Sequence, residues 1–224
     1  AYHNKSVKLY EVAKIYLPVE GQVLPEEPKM LLLGTYGANE TFFTLKGELE
    51  AVFAGLRLKK ASYTAVKNNP SYHPGRCAAV SIDGVEVGVM GQVHPLVAKN
   101  YGIDVDVYCA EINFTKLLGC LLPDATYTPL PKYPSVSRDL SLICDEAVTV
   151  ADAEAVITAA AGKLLRGVKL FDIYRGVGVP EGKKSMAFSL ELRADDRTLT
   201  DTDSEAVVTK ILTALKEKLD ATLR

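Results

Sequence analysis

Four prolines crowd one short segment near the middle of this 224-residue chain, and they constrain its fold more than any other feature. All four lie between residues 123 and 134: Pro123, Pro129, Pro131 and Pro134. Proline lacks a backbone N–H and disfavours helix in the residue before it, so this segment should run extended. The sequence therefore predicts two domains, 1–122 and 135–224, joined by a linker at 123–134.

The charge balance limits what either domain can bind. Residues 1–126 carry 12 basic and 13 acidic side chains, and residues 127–224 carry 14 and 15. Proteins that bind nucleic acid without sequence preference have a strong basic excess. This balance counts against a protein that coats RNA without sequence preference, but it is compatible with a small, local RNA contact.

Cysteine usage and the chain start indicate the setting of the protein. Cys77, Cys109, Cys120 and Cys144 form no C-x-x-C pair and follow no regular spacing, which favours free thiols in a reducing cytoplasm. The apolar runs are too short to span a membrane, so no membrane partner is expected. The chain begins without an initiator Met or a signal peptide, and we expect a segment of a longer protein.

The first domain has mainly strand signals. Four segments have the apolar content of strands: 7–17, 30–36, 78–82 and 85–93. The pair Asp83-Gly84 between the last two is a strong signal for a two-residue hairpin turn. Residues 44–56 repeat apolar side chains at helical spacing. The sequence predicts an α+β domain in which helices pack on an antiparallel sheet.

The second domain has a clearer order of elements. Four segments are predicted to be strands: 139–144, 168–175, 185–193 and 221–224. Thr149 is placed to cap a first helix, and Thr202 with Glu205 has the spacing of a capping box before a second. The resulting order βαββαβ is that of a ferredoxin-like fold.

Two helices can cover only one face of a four-stranded sheet, so the other face is expected to be open. Because strand residues alternate between faces, Phe171 and Ile173 are predicted to point one way, and Leu170, Asp172 and Tyr174 the other. The polar set belongs on this open face: Asp139, Ser141, Asp172, Tyr174, Ser185, Ser189 and Glu191. Such a platform suits an unstacked base, and an ordinary solvated surface is the alternative interpretation.

Other groups with chemical potential favour structural roles. His73, His94 and Cys77 have no standard zinc spacing, and both histidines precede proline, so we predict loop-fixing roles and no metal site. Gly88 and Gly91 lie inside a predicted strand, which favours close backbone packing. The sequence predicts no catalytic residue and no cofactor for this chain.

Five short motifs in the second domain carry a family resemblance. They are Lys-Tyr-Pro-Ser-Val at 132–136 with Arg-Asp-Leu at 138–140, then the segments 170–176, 182–188, 197–201 and 223–224. In order and spacing they resemble the anticodon-binding domain of bacterial phenylalanyl-tRNA synthetase β subunits. The resemblance implies that Tyr174 stacks on an anticodon base and that Asp172 hydrogen-bonds a base edge.

The resemblance implies further contacts from Ser185 and Arg224. Asp139 joins the candidate RNA-binding residues through its expected position on the open face.

The first domain resembles the catalytic-like domain of the same subunit, on segments 46–49, 72–76, 88–95 and 108–112. This resemblance implies a degenerate class II synthetase core that packs against a catalytic α subunit, in an assembly of two α and two β chains. The whole enzyme would use ATP and magnesium to attach phenylalanine to its tRNA. Two alternatives stay open: an amino-acid-binding regulatory module, as in many ferredoxin-like domains, and a self-associating structural domain.

Overall fold

The computed structural model describes residues 4–224 and divides the chain into two compact units between Thr126 and Tyr127. This boundary lies within the segment predicted to be the linker. The first three residues, which begin the predicted first domain, lie outside the described part. Across residues 4–224, no helix combines the length and the apolar content that a membrane span needs. All four cysteines are free thiols, as the sequence predicts.

The first domain is a six-stranded antiparallel sheet with three helices, of the α+β class that its sequence predicts. Its strands are β1 (Val7–Lys14), β2 (Lys29–Tyr36), β3 (Ala61–Ala65), β4 (Tyr72–Ile82), β5 (Val85–Val93) and β6 (Val107–Asn113). Its helices are α1 (Phe42–Gly55), α2 (Pro95–Asn100) and α3 (Phe114–Leu118). The strand order is β1-β2-β6-β5-β4-β3, so β1 and β3 form the edges.

Helix α1 closes the core of this domain. Thr41 caps it in a capping box with Thr44, so the helix begins two residues before the predicted start. Its buried stripe of Leu45, Leu49 and Phe53 packs on the sheet, as the helical spacing indicates. The predicted β4–β5 hairpin is confirmed: Asp83 and Gly84 have φ of 52° and 80°, as a type I′ turn requires.

The glycines of β5 allow a close approach of neighbouring strands. A Cβ on Gly88 would lie 2.0 Å from the carbonyl oxygen of Glu111, and a Cβ on Gly91 would lie 2.4 Å from that of Arg76. The predicted packing role is therefore confirmed. The two histidines fix local turns, because Nδ1 of His73 accepts a hydrogen bond from the Gly75 N–H, and Nδ1 of His94 accepts one from the Leu96 N–H.

Strand β1 is the least covered part of the sheet. Every residue from Lys8 to Lys14 is exposed, including Leu9 at 69% and Tyr10 at 77%. Among residues 4–224 the strand pairs only with β2, so its other edge presents backbone donors and acceptors that no described strand uses. One edge of the strand and its exposed apolar side chains are thus open to contact, whereas Lys8 pairs with Glu40 and Glu48 beside helix α1.

The second domain has the predicted βαββαβ order. Its elements are β7 (Val136–Asp145), α4 (Val150–Ala161), β8 (Leu165–Tyr174), β9 (Lys183–Leu192), α5 (Asp201–Leu219) and β10 (Thr222–Leu223). The antiparallel sheet has the order β10-β7-β9-β8. Both helices cover one face, where Leu142 and Phe188 of the sheet and Ile157 and Ile211 of the helices are fully buried.

The helix caps explain one of the sequence motifs. Thr149 caps α4, as predicted, and it forms a capping box with Asp152. The predicted box of Thr202 and Glu205 is wrong, because α5 begins earlier and its capping pair is Thr200 and Asp203. The Arg197 guanidinium and the hydrogen bonds from Thr200 hold the pKa of the Asp203 carboxyl well below its usual range. The motif at 197–201 therefore fixes the start of a helix.

Candidate functional site

The open face of the second domain is the sheet face that neither helix covers, and three of the rows that its side chains form across the strands contain the predicted site residues. The strand register defines each row, and Arg224 joins the second through its backbone bond to Ser141. The rows are Thr222, Ile143, Ser185 and Tyr174; then Arg224, Ser141, Ala187 and Asp172; then Asp139, Ser189 and Lys169. Four of the five predicted site residues therefore lie in two adjacent rows.

Tyr174 and Arg224 meet across the sheet although they come from opposite edge strands. The Arg224 N–H donates to the carbonyl oxygen of Ser141 at 2.8 Å, which anchors the chain end beside β7. From there the guanidinium carbon lies 5.0 Å from the centroid of the Tyr174 ring. This is a cation–π contact, and it covers one face of the ring that is predicted to stack on a base.

Ser185 is less accessible than the sequence predicts. Its side chain is on the expected face, but only 3% of the residue is exposed. In its row it lies between the larger side chains of Ile143 and Tyr174, and its Oγ is 3.3 Å from the Oγ of Ser141. Strand alternation assigns a side chain to a face, but it does not show whether larger neighbours cover that side chain.

A β-bulge in β8 corrects the predicted sorting of its side chains. Leu170 pairs with Phe188 and Asp172 pairs with Ala187, so Phe171 is an extra residue without a partner. Leu170 packs against the core, although it was predicted on the open face. Phe171 was predicted toward the helices, yet it is 55% exposed and lies outside the core cluster. Ile173 pairs with the buried Met186, on the predicted side.

The β8–β9 loop, residues 175–182, closes over one end of Tyr174. The Tyr174 hydroxyl donates to the carbonyl oxygen of Val177 at 3.5 Å. A Cβ on Gly176, whose φ is 157°, would lie 2.7 Å from that hydroxyl. The absence of a side chain at this position is what allows the loop to pass so close to the ring.

The turn at Glu146 holds the base of this loop. Both carboxylate oxygens of Glu146 accept from the Arg175 guanidinium, with Nε 3.0 Å from Oε1 and 3.2 Å from Oε2. The same guanidinium lowers the pKa of the Glu146 carboxyl. The buried Lys184 donates from Nζ to the Glu146 carbonyl oxygen at 2.8 Å. Two of the sequence motifs, 170–176 and 182–188, thus meet at one structural turn.

Asp139 lies apart from the other four predicted residues. It is exposed on the open face and pairs with Ser189, two rows from Tyr174. Two rows correspond to about 13 Å along the strands. The structure therefore brings Asp172, Tyr174, Ser185 and Arg224 together and leaves Asp139 at the margin.

The first domain has a cavity of about 690 Å³ beside the start of α1. Arg76 lines it, but its Nη1 donates to Oε1 of Gln92 at 2.6 Å and lies 3.8 Å from Asp106. Cys77 also lines it, and burial raises the pKa of its thiol, so this sulfur is protonated at neutral pH. Neither side chain is thus set up as an anion-binding or nucleophilic group.

Comparison with protein-family models gives one match in each domain. A model described as the phenylalanyl-tRNA synthetase beta chain CLM domain matches residues 1–114. A model described as the ferredoxin-fold anticodon binding domain matches residues 131–224. Together the two matches cover most of both compact units of the chain.

Curated relatives agree with these matches. The chain is 40% identical to the phenylalanine–tRNA ligase beta subunit of Clostridium tetani, over 99% of this chain. It is 38% identical to the protein of the same name from Clostridium acetobutylicum over 100% of the chain, and 39% identical to that from Symbiobacterium thermophilum over 98%. The chain spans 28%, 28% and 26% of the length of these three relatives.

Proposed function

Because the chain belongs to the phenylalanyl-tRNA synthetase β-chain family, we propose that its second domain binds the anticodon of the tRNA for phenylalanine. The observation that carries this proposal is the pair of Tyr174 and Asp172 on a sheet face that no helix covers. The domain supports the ATP-dependent attachment of phenylalanine to tRNA without catalysing it. The match to an anticodon-binding model does not favour the alternative of an amino-acid-binding regulatory module.

The side chains offer the two kinds of contact that single-stranded RNA needs. The Tyr174 ring, 37% exposed, provides a stacking surface, and base–aromatic stacking contributes about 1–3 kcal/mol per base. The exposed Asp172 carboxylate accepts hydrogen bonds from amino or imino groups on a base edge. Arg224 shares the site and carries a planar cation that stacks on bases and donates to them.

The contact is local, because the charge of the domain does not attract RNA over a distance. With 14 basic and 15 acidic residues, 127–224 provide little of the phosphate neutralisation on which most RNA affinity depends. The domain recognises a few bases, and the rest of the synthetase supplies most of the affinity for tRNA.

We expect Tyr174→Ala to weaken tRNA binding by the assembled α/β synthetase about five- to hundredfold, which corresponds to the loss of one stacking contact of about 1–3 kcal/mol. Tyr174→Phe keeps the ring and should bind nearly as well as the unmodified protein. Filter binding and the KM for tRNA in aminoacylation measure the effect. Tyr127→Ala is the matched control, because Tyr127 is 87% exposed in the first residues after the domain boundary. Equal affinity of Tyr174→Ala and the unmodified enzyme would contradict the proposal.

The first domain is proposed to be a class II-like core without its own active site that packs against the catalytic α subunit. The uncovered strand β1 supports this role, since native proteins normally protect an apolar edge strand. Exposed apolar patches of this kind mark protein interfaces. The α subunit would cover the faces of β1, pair with its free edge, or do both.

The double variant Tyr10→Lys with Val12→Lys is expected to bind the α subunit about tenfold or more weakly, which is the usual cost of losing one interface hot spot. These side chains are 77% and 45% exposed and lie on one face of β1, so the fold of the chain should persist. Sedimentation of the chain with the α subunit measures assembly, and circular dichroism checks the fold. Val23→Lys is the control at a 99% exposed site outside the strand. Unchanged assembly of the double variant would remove β1 from the interface.

A further inference from the structure

The bulge in β8 leaves two consecutive side chains, Phe171 and Asp172, exposed and outside the core. Leu170 pairs with Phe188 and packs against the core, whereas Phe171, the extra residue of the bulge, lies outside the core cluster. Asp172 pairs with Ala187, whose neighbours on the same strand, Met186 and Phe188, are buried on the helix side. Asp172 is therefore on the open face, and the exposed Phe171 ring comes directly before it in the strand.

An aromatic ring in this position has no role in the core. Phe171 is 55% exposed, more than Tyr174 at 37%, although phenylalanine has no polar group to hydrate. Without the bulge, regular pairing from Leu170 onward would turn Asp172 and Tyr174 toward the helices. Bulges next to binding sites commonly redirect side chains in this way. The same irregularity that turns Asp172 and Tyr174 outward also leaves Phe171 exposed beside them.

We propose that Phe171 is a second base-stacking residue, so that the open face holds two nucleobases of the anticodon loop on two rings. This inference rests on the proposed function of the domain. Leu170 and Tyr174 pair with Phe188 and Ser185, which are three residues apart on β9, so the bulge leaves Phe171 and Tyr174 less than about 10 Å apart along the sheet. Each ring then holds its own base, and the Asp172 carboxylate lies between the two residues in sequence.

The test uses the assembled α/β synthetase and tRNA in which one anticodon base at a time is replaced by an abasic site. Phe171→Leu keeps the apolar bulk and removes the ring, and Phe171→Tyr keeps the ring. We expect Phe171→Leu to weaken binding of intact tRNA about fivefold or more and Phe171→Tyr to stay within about twofold. The Phe171→Leu variant should bind intact tRNA and tRNA lacking one particular anticodon base with equal affinity, because the ring that holds that base is gone. The Tyr174→Ala variant should show the same loss of discrimination at a different base.

The outcomes separate this inference from the proposed function. If the effect of Tyr174→Ala depends on the presence of one anticodon base and the effect of Phe171→Leu depends on none, the second stacking position is refuted and the proposed anticodon binding stands. If neither variant changes tRNA affinity, the proposed function of the open face fails as well. Weakened α-subunit association in Phe171→Leu with unchanged tRNA affinity would make the ring a protein contact and overturn the inference. The melting temperature of each variant checks the fold.

Discussion

Phe188→Ala should lower the unfolding free energy of the second domain by about 3–5 kcal/mol, the usual cost of removing a large buried aromatic side chain. Phe188 is fully buried in β9, a central strand of the sheet. Its neighbours in the register, Leu140 and Leu170, and the helices above it leave little freedom to fill the cavity. Since single domains have total stabilities of about 5–15 kcal/mol, this loss is a large part of the whole.

Phe171→Ala is the matched control for this prediction, because it is the same substitution in the neighbouring strand. Its side chain is 55% exposed, so its loss should change stability by at most about 0.5 kcal/mol. Urea denaturation gives the two free energies, and hydrogen exchange assigns the unfolding to the second domain. Similar losses for both variants would show that the two phenylalanines do not differ in burial.

Gly88→Ala should destabilise the first domain by at least the upper end of the about 1–3 kcal/mol that overpacking costs. The added methyl would lie 2.0 Å from the Glu111 carbonyl oxygen and 2.9 Å from the Ile112 Cα. Both atoms belong to the backbone of β6, so relief requires strands β5 and β6 to separate rather than a side chain to rotate. The hydrogen bonds between two central strands would be weakened as a result.

Gly47→Ala provides a control of opposite sign. Gly47 is inside helix α1, and a Cβ there would meet nothing within 4 Å. Alanine is favoured over glycine in a helix by about 1 kcal/mol, so this variant should be stabilised. Thermal unfolding followed by circular dichroism compares the two. A stable Gly88→Ala protein would contradict the close approach of β5 and β6.

The order of elements in the second domain could be predicted because each element carries its own local signal. Apolar residues of β7 and β9 alternate regularly, and α4 begins at a threonine with a carboxylate three residues later. The hairpin at Asp83 and Gly84 is similarly local, since both residues must adopt positive φ. Signals of this kind need no knowledge of which strands become neighbours.

The site was harder to predict because its accessibility depends on neighbours that are distant in sequence. Ser185 is covered within a row built from four strands. The bulge at Phe171 is defined by the pairing of β8 with β9. The sequence of β8 alone is equally consistent with a regular strand. The start of α5 involves Arg197, whose ion pair with Asp203 favours Thr200 over Thr202 as the cap.

The contact between Arg224 and Tyr174 depends on the smallest strand of the sheet. β10 has two residues, and the Arg224 amide follows it with a single bond to Ser141. A strand held by so few bonds opens at low free energy, long before the domain unfolds. The Arg224 guanidinium is therefore held less firmly than Tyr174, which lies in the ten-residue strand β8. Loss of the short pairing would leave the ring in place and remove the cation beside it.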